Sequence, residues 1–261
     1  MYKTLLKCGS FLFLSLFSMN VQAKNITLAA DLWCPYNCVP GSPNPGYMVE
    51  IARQALETDG RRVIYKIIPW DIAVSQALSG KISGVFGASA EDGEGLLHTD
   101  EPLGKTYNVY LVNTAVSLLE KDLDFDKLSI VALDGYDYGN SPLADYLKAN
   151  VARKNVRMSS ARQGLLSNAM LVANGAADMT IDEYSVVLNL MRERPDLAKN
   201  LKIIRPEGYK DQSIDVYISF SKNDPESQMF ADAISEKVRQ MRRSGELKAL
   251  LQRYGLSDWK E

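Results

Sequence analysis

Hydrophobic positions recur along this chain in two alternating rhythms. Residues 25–30 (NITLAA) form an apolar run of strand length, closed by Asp31, Leu32 and Trp33 and a turn-rich stretch through Gly46. Residues 47–58 (YMVEIARQALET) space their apolar positions along one helix face, and Asp59-Gly60 stops it. A β-branched strand follows at 62–68, ended by Pro69-Trp70, then a helix at 72–78 and a strand at 82–86. The alternation goes on to predict strands at 109–116, 128–133, 156–158, 177–181, 201–204 and 216–220. It also predicts helices at 141–150, 164–173 and 183–192, and a largely helical stretch at 225–254 that Gly245 divides. Strand and helix in turn throughout imply an α/β fold with mixed, mostly parallel sheets. The two halves share this rhythm without a close sequence repeat.

The amino terminus breaks the rhythm. Lys3 and Lys7 precede the apolar run 11–17 (FLFLSLF), and Val21-Gln22-Ala23 supplies a small residue for cleavage, so 1–23 is expected to be a signal peptide. The run is too short to span a bilayer, which takes about 20 residues. Cys8 precedes it, whereas a lipid-modified cysteine would follow. The product is expected to be soluble, monomeric and periplasmic. In an oxidising compartment the remaining Cys34 and Cys38 are expected to form a disulfide that fixes the loop 33–40. A redox-active pair would ordinarily be spaced Cys-x-x-Cys, and a zinc site would need further ligands.

Composition narrows the function. With 46% hydrophobic and 24% charged residues in 261, the chain is ordinary globular material, not disordered or fibrous. Thirty Lys and Arg against 32 Asp and Glu give −2, and loss of 1–23 removes two lysines and no acid, giving −4. That balance offers no basic face for nucleic acid. His98 is the one histidine, so a multi-histidine metal site is excluded, and no cofactor is expected.

Four stretches, taken in order, resemble the small periplasmic solute-binding proteins of polar amino-acid ABC transporters, solute-binding family 3. Trp33-x-Pro35-Tyr36 with Gly46-Tyr47-x-Val49-Glu50-Ile51 is similar to that family's opening strand, aromatic loop and first helix. Pro69-Trp70 followed by Ala77-Leu78-Ser79-Gly80-Lys81-Ile82 is similar to its tryptophan and Leu-x-Ser-Gly element. Asn174-Gly175-Ala176-Ala177-Asp178, leading to Asp182, is similar to its second-lobe strand with a binding acid at the end. The stretch 217–224 (YISFSKND), with Arg243-Ser244-Gly245-Glu246-Leu247 and Arg253-Tyr254-Gly255-Leu256, is similar to its closing segment. The resemblance implies a two-lobed type II clamshell: lobe one at 24–111 and 216–261, lobe two at 112–215, with hinge strands near 110–114 and 215–219. Independently of it, ligands in open α/β sheets bind outside the carboxyl ends of strands. Those ends here are 31–36, 69–71, 87–91 and 181–184.

The resemblance also implies roles for particular residues. Trp33, Tyr36 and Trp70 would face the ligand by stacking or cation–π attraction, worth about 0.5–2 kcal/mol; the alternative for each is packing in the core. Asp182 matches the acid that grips a ligand ammonium through a charge-assisted hydrogen bond, and it would also suit the N-cap of the helix predicted at 183. Amino-acid binders of this family place an arginine for the ligand carboxylate shortly after the third strand. Here the run is Gly87-Ala88-Ser89-Ala90-Glu91-Asp92-Gly93-Glu94: Ser89 keeps a hydroxyl, and the arginine position falls on Glu94. No lysine or arginine occurs from 82 to 100. A cleft lined by Asp31, Glu91, Glu94 and Asp182 would favour an amine-bearing or cationic ligand, unless Arg162, Lys105 or a helix start near Gly139-Asn140-Ser141 takes a carboxylate.

The function expected is capture of a small polar solute and its presentation to an ABC permease in the inner membrane. The alternatives are a sensing module for a membrane signalling receptor and a cyclohexadienyl-dehydratase-like enzyme on the same scaffold. The enzyme is disfavoured, because its dicarboxylic substrate would lack the arginine.

Overall fold

A computed structural model describes residues 25–58, 60–115, 123–136, 138–139, 141–150, 153–159, 164–206, 208 and 212–260. The signal peptide expected at 1–23, with Cys8, lies outside the described residues. The strands are β1 (Asn25–Ala30), β2 (Arg62–Ile67), β3 (Gly84–Ala88), β4 (Leu97–His98), β5 (Gly104–Thr106), β6 (Asn108–Asn113), β7 (Ile130–Leu133), β8 (Val156–Ser159), β9 (Met179–Glu183), β10 (Leu201–Ile204) and β11 (Ile214–Phe220). The helices are α1 (Tyr47–Leu56), α2 (Trp70–Leu78), α3 (Pro142–Asn150), α4 (Leu165–Ala173), α5 (Tyr184–Glu193), α6 (Pro195–Ala198), α7 (Ser227–Ser244) and α8 (Glu246–Arg253).

Two sheets organise these elements. The first runs β2-β1-β3-β11-β4 with β5 also on β11, and the second runs β10-β6-β9-β7-β8. β1 pairs in parallel with β2, setting Ile26 opposite Val63. β6 pairs antiparallel with β9, setting Val109 opposite Asp182. The α/β class stands, but parallel pairing does not dominate: β11 is antiparallel to β3, β4 and β5, and β6 to β9 and β10. β4 and β5, of two and three residues, are too short and too polar to show in the hydrophobic pattern.

The sheets also move the expected division of the chain. Asn108 is already paired with Glu183, so β6 lies wholly in the second sheet and the chain crosses at Tyr107, not within 110–114. β10 still belongs to the second sheet, and β11 belongs entirely to the first. The expected boundaries at 111/112 and 215/216 therefore cut strands that backbone ladders hold intact.

Helices cover the sheets with their apolar stripes. α1 buries Met48, Val49, Ile51, Ala52 and Leu56, and α7 buries Phe230, Ala231, Ile234, Val238 and Met241 against it. Gly245, at φ 83°, lets the chain leave α7 in the left-handed conformation that residues with a Cβ avoid. α4 lays Leu165, Ala169 and Val172 on the second sheet. Asn113 Nδ2 donates to the carbonyls of Val172 and Ala173, at 2.7 and 3.2 Å, satisfying groups the helix end leaves open. No helix among the described residues is long and apolar enough to cross a membrane.

Candidate functional site

The carboxyl ends of strands from both sheets meet around one cleft of about 90 Å³. Its first-sheet wall includes Asp31 just past β1, Trp33 in the loop that follows, Trp70 in the first turn of α2, and Ser89 just past β3. Its second-sheet wall includes Asn108 at the start of β6, Tyr136 after β7, and Asp182 and Glu183 at the end of β9.

The loop after β1 is pinned at several points. Cys34 and Cys38 form the expected disulfide, with Cα atoms 4.7 Å apart. Trp33 and Asn37 bridge through their backbones at 3.0 Å, and the Asn37 amide donates to the Asp31 carbonyl and, at 3.0 Å, to Tyr65 Oη. The Trp33 ring stacks on Tyr36 at 4.1 Å between centroids. Against another part of that ring lies Gly87, at φ +81°, where an added Cβ would come within 2.9 Å of the indole.

The sequence-derived candidates divide on placement. Asp31, Trp33, Trp70, Ser89 and Asp182 line the cleft together. Tyr36 does not: it is buried beneath Trp33 and lines a separate hollow of about 690 Å³ behind the cleft, with Tyr107, Tyr184 and Trp259. Glu94 and Glu91 are exposed and do not line the cleft either. The turn after β3 decides this. Ser89 Oγ donates to Asp92 Oδ2 at 2.9 Å and accepts from the Asp92 amide at 3.0 Å, while the Glu94 amide donates to the Glu91 carbonyl. Asp92 is thereby the acid of that run that reaches the cleft.

The cleft carboxyls sit in an environment hostile to charge. Burial pushes Asp31 up to about 6, although the Tyr136 hydroxyl and its own amide pull the other way. Burial pushes Asp182 up to about 7; the Glu183 amide, donating to its Oδ1 at 2.7 Å, opposes this and the Asp31 charge adds to it. Burial lifts Glu183 to about 8 against the hydrogen bond from the Val186 amide, with the Asp182 charge raising it further. Tyr136 and Tyr138 are held well above the ordinary phenol range, first by burial and then by nearby carboxylates.

The two roles weighed for Asp182 fall on two residues. α5 begins at Tyr184, and its N-cap is Glu183, whose Oε2 accepts from the Val186 amide at 2.9 Å. Asp182 is left to the cleft. Glu183, Asn108, Tyr136 and Asp92 were not singled out by sequence reasoning. Only Glu183 and Asp92 carried a signal, as acids at a strand end and in a turn.

No lysine or arginine among the described residues lines the cleft. Lys105 is exposed and lines the hollow behind it. Ser141 caps α3, its Oγ accepting from the Ala144 amide at 3.1 Å. Arg162 and Asn140 lie outside the described residues. No grouping of three or more metal-ligating side chains occurs among the described residues.

The fold is that of the type II periplasmic binding proteins. A structure solved for glutathione import via GshT and the cystine ABC importer TcyBC of Streptococcus mutans matches with a TM-score of 0.71 and 22% identity, over 92% of this chain and 99% of that one. The arginine-, lysine-, histidine-binding protein ArtJ from Geobacillus stearothermophilus matches with a TM-score of 0.69 and 16% identity, over 90% and 96%. A histidine kinase sensor domain with similarity to periplasmic binding proteins matches at 0.67 and 18%, over 89% and 96%. No protein-family model matches the chain, and no curated protein matches its sequence.

Proposed function

We propose that this protein is an extracytoplasmic solute-binding protein that captures a small amine-bearing or cationic ligand between its two lobes and presents it to an ABC permease. Export to the periplasm through a cleaved signal at 1–23 belongs to the same proposal. The observation that carries it is the meeting of Asp31 from one sheet and Asp182 from the other in a single cleft, with no basic residue on the described wall. A cation there touches both lobes, so its binding free energy favours the closed arrangement over the open one. The aromatic faces of Trp33 and Trp70 add cation–π attraction to the charge.

Calorimetric titration with two panels, organic amines and ordinary amino acids, tests the proposal. Binding of amines that Asp182→Asn abolishes is the expected result. Tight binding of a neutral amino acid with no response to amines would overturn it. The kinase sensor domain among the structural neighbours supports a second reading, in which the loaded clamshell reports to a membrane receptor. Co-purification from solubilised membranes separates the two: a permease complex for transport, a kinase or cyclase for sensing.

A further inference from the structure

Every charged residue on the described wall of the cleft is an acid: Asp31, Asp92, Asp182 and Glu183. Of the polar neighbours, the Ser89 hydroxyl already donates to Asp92, and the Asn108 amide already donates to the Tyr138 carbonyl at 2.9 Å. A ligand carboxylate placed here would meet like charge with no basic partner on that wall, and such juxtapositions weigh strongly against a partner. Three buried acceptor atoms on wall residues, Asp31 Oδ2, Asn37 Oδ1 and Glu183 Oε1, have no hydrogen-bond partner and ask for the opposite. Asp31 Oδ2 is buried, lies on a residue only 7% exposed, and has no hydrogen-bond partner. A buried acceptor left open is costly, and a ligand N–H recovers that cost.

We infer that the ligand is a carboxylate-free amine bearing at least one N–H, of the kind that decarboxylation of an amino acid leaves, and not the amino acid itself. The inference rests on the amine-site reading of the cleft and goes beyond it by excluding the α-carboxylate.

Matched pairs test it, each pair differing by one carboxylate: isobutylamine with valine, and cadaverine with lysine. Tetramethylammonium serves as a cation without N–H. Titrated calorimetrically into the purified protein, at least one amine is expected to bind 100-fold or more tightly than its amino-acid partner. That same amine should exceed tetramethylammonium at least tenfold, and Asp31→Asn should weaken it tenfold or more with the far-ultraviolet spectrum unchanged. An amino acid binding as well as or better than an amine that also binds overturns the inference and leaves the amine-site reading standing, whereas amino acids binding with every amine silent overturns both. Tetramethylammonium matching the amine, or Asp31→Asn without effect in a folded protein, overturns the role given to Asp31 Oδ2 and with it the inference. Silence from every amine and every amino acid overturns both.

Discussion

Two sets of carboxylates in this molecule meet opposite fates. On the carboxyl-terminal flank, Arg242 Nε reaches Asp258 Oδ2 at 2.7 Å and Lys260 Nζ reaches Glu101 Oε2 at 2.7 Å. Arg253 holds Glu50 in the same region. Hydrogen bonding from Lys260 keeps Glu101 below the usual carboxylate range; for Asp258 burial is the largest influence, and Arg242 and Lys260 together outweigh it and hold that carboxyl low as well. In the cleft, Asp31, Asp182 and Glu183 are buried more deeply, have no cation beside them among the described residues, and are pushed up instead. The residue types are the same; the difference lies in whether the fold brings a base to them. An acid buried without a partner charge lowers stability, so its burial at the meeting of two sheets marks where a positive charge from outside has most to gain.

The sharpest way to break that comparison is to neutralise one acid on each side. Asp182→Asn is expected to weaken amine binding by about 100-fold or more, as removal of one partner of a buried charged contact does; Asp258→Asn should leave the titration unchanged. Stability against pH separates the two sets next. The cleft acids have folded values above their unfolded ones, so their contribution is complete below about pH 4 and is lost as pH rises through 6 to 8. The flank acids have folded values below their unfolded ones, so theirs is present above about pH 4.5 and is lost as pH falls further. Denaturant titrations of the ligand-free protein should therefore show greatest stability at about pH 4 to 4.5, with Asp182→Asn flattening only the neutral side. Gly87→Ala should cost about 1–3 kcal/mol, because it forces a side chain into a positive φ and against Trp33; melting and tryptophan fluorescence report it. The smallest effect is expected from Arg242→Ala, a loss of about 1 kcal/mol or less in stability, read by denaturant titration and smaller still in high salt.

How much of this was legible in the sequence follows from the range of the interactions involved. β1 was readable because an apolar run bounded by polar residues fixes itself, and Asp182 because the acid stands next to a strand end. Asp92 was not told apart from Glu94, because the turn that aims one inward and the other outward is closed by the Ser89 hydroxyl, which no spacing rule encodes. The cap on α5 fell one residue later than expected because β9 keeps its ladder through Glu183. Asn108 and Tyr136 were invisible for a deeper reason. Each joins the cleft only because the second sheet faces the first, and nothing near either in the chain carries that fact. β4 and β5 were missed because two or three residues hold no periodicity.

The crossing at Tyr107, with the strand ends either side of it, makes a stretch of four residues whose sides serve different rooms. Thr106 and Asn108 line the cleft, while Lys105 and Tyr107 line the hollow behind it. Tyr107 also accepts the Tyr184 amide at 3.0 Å and stacks on its ring, at the point where Glu183 turns to the front and Tyr184 to the back. The two hollows thus share one partition, built from consecutive residues that face alternately forward and back.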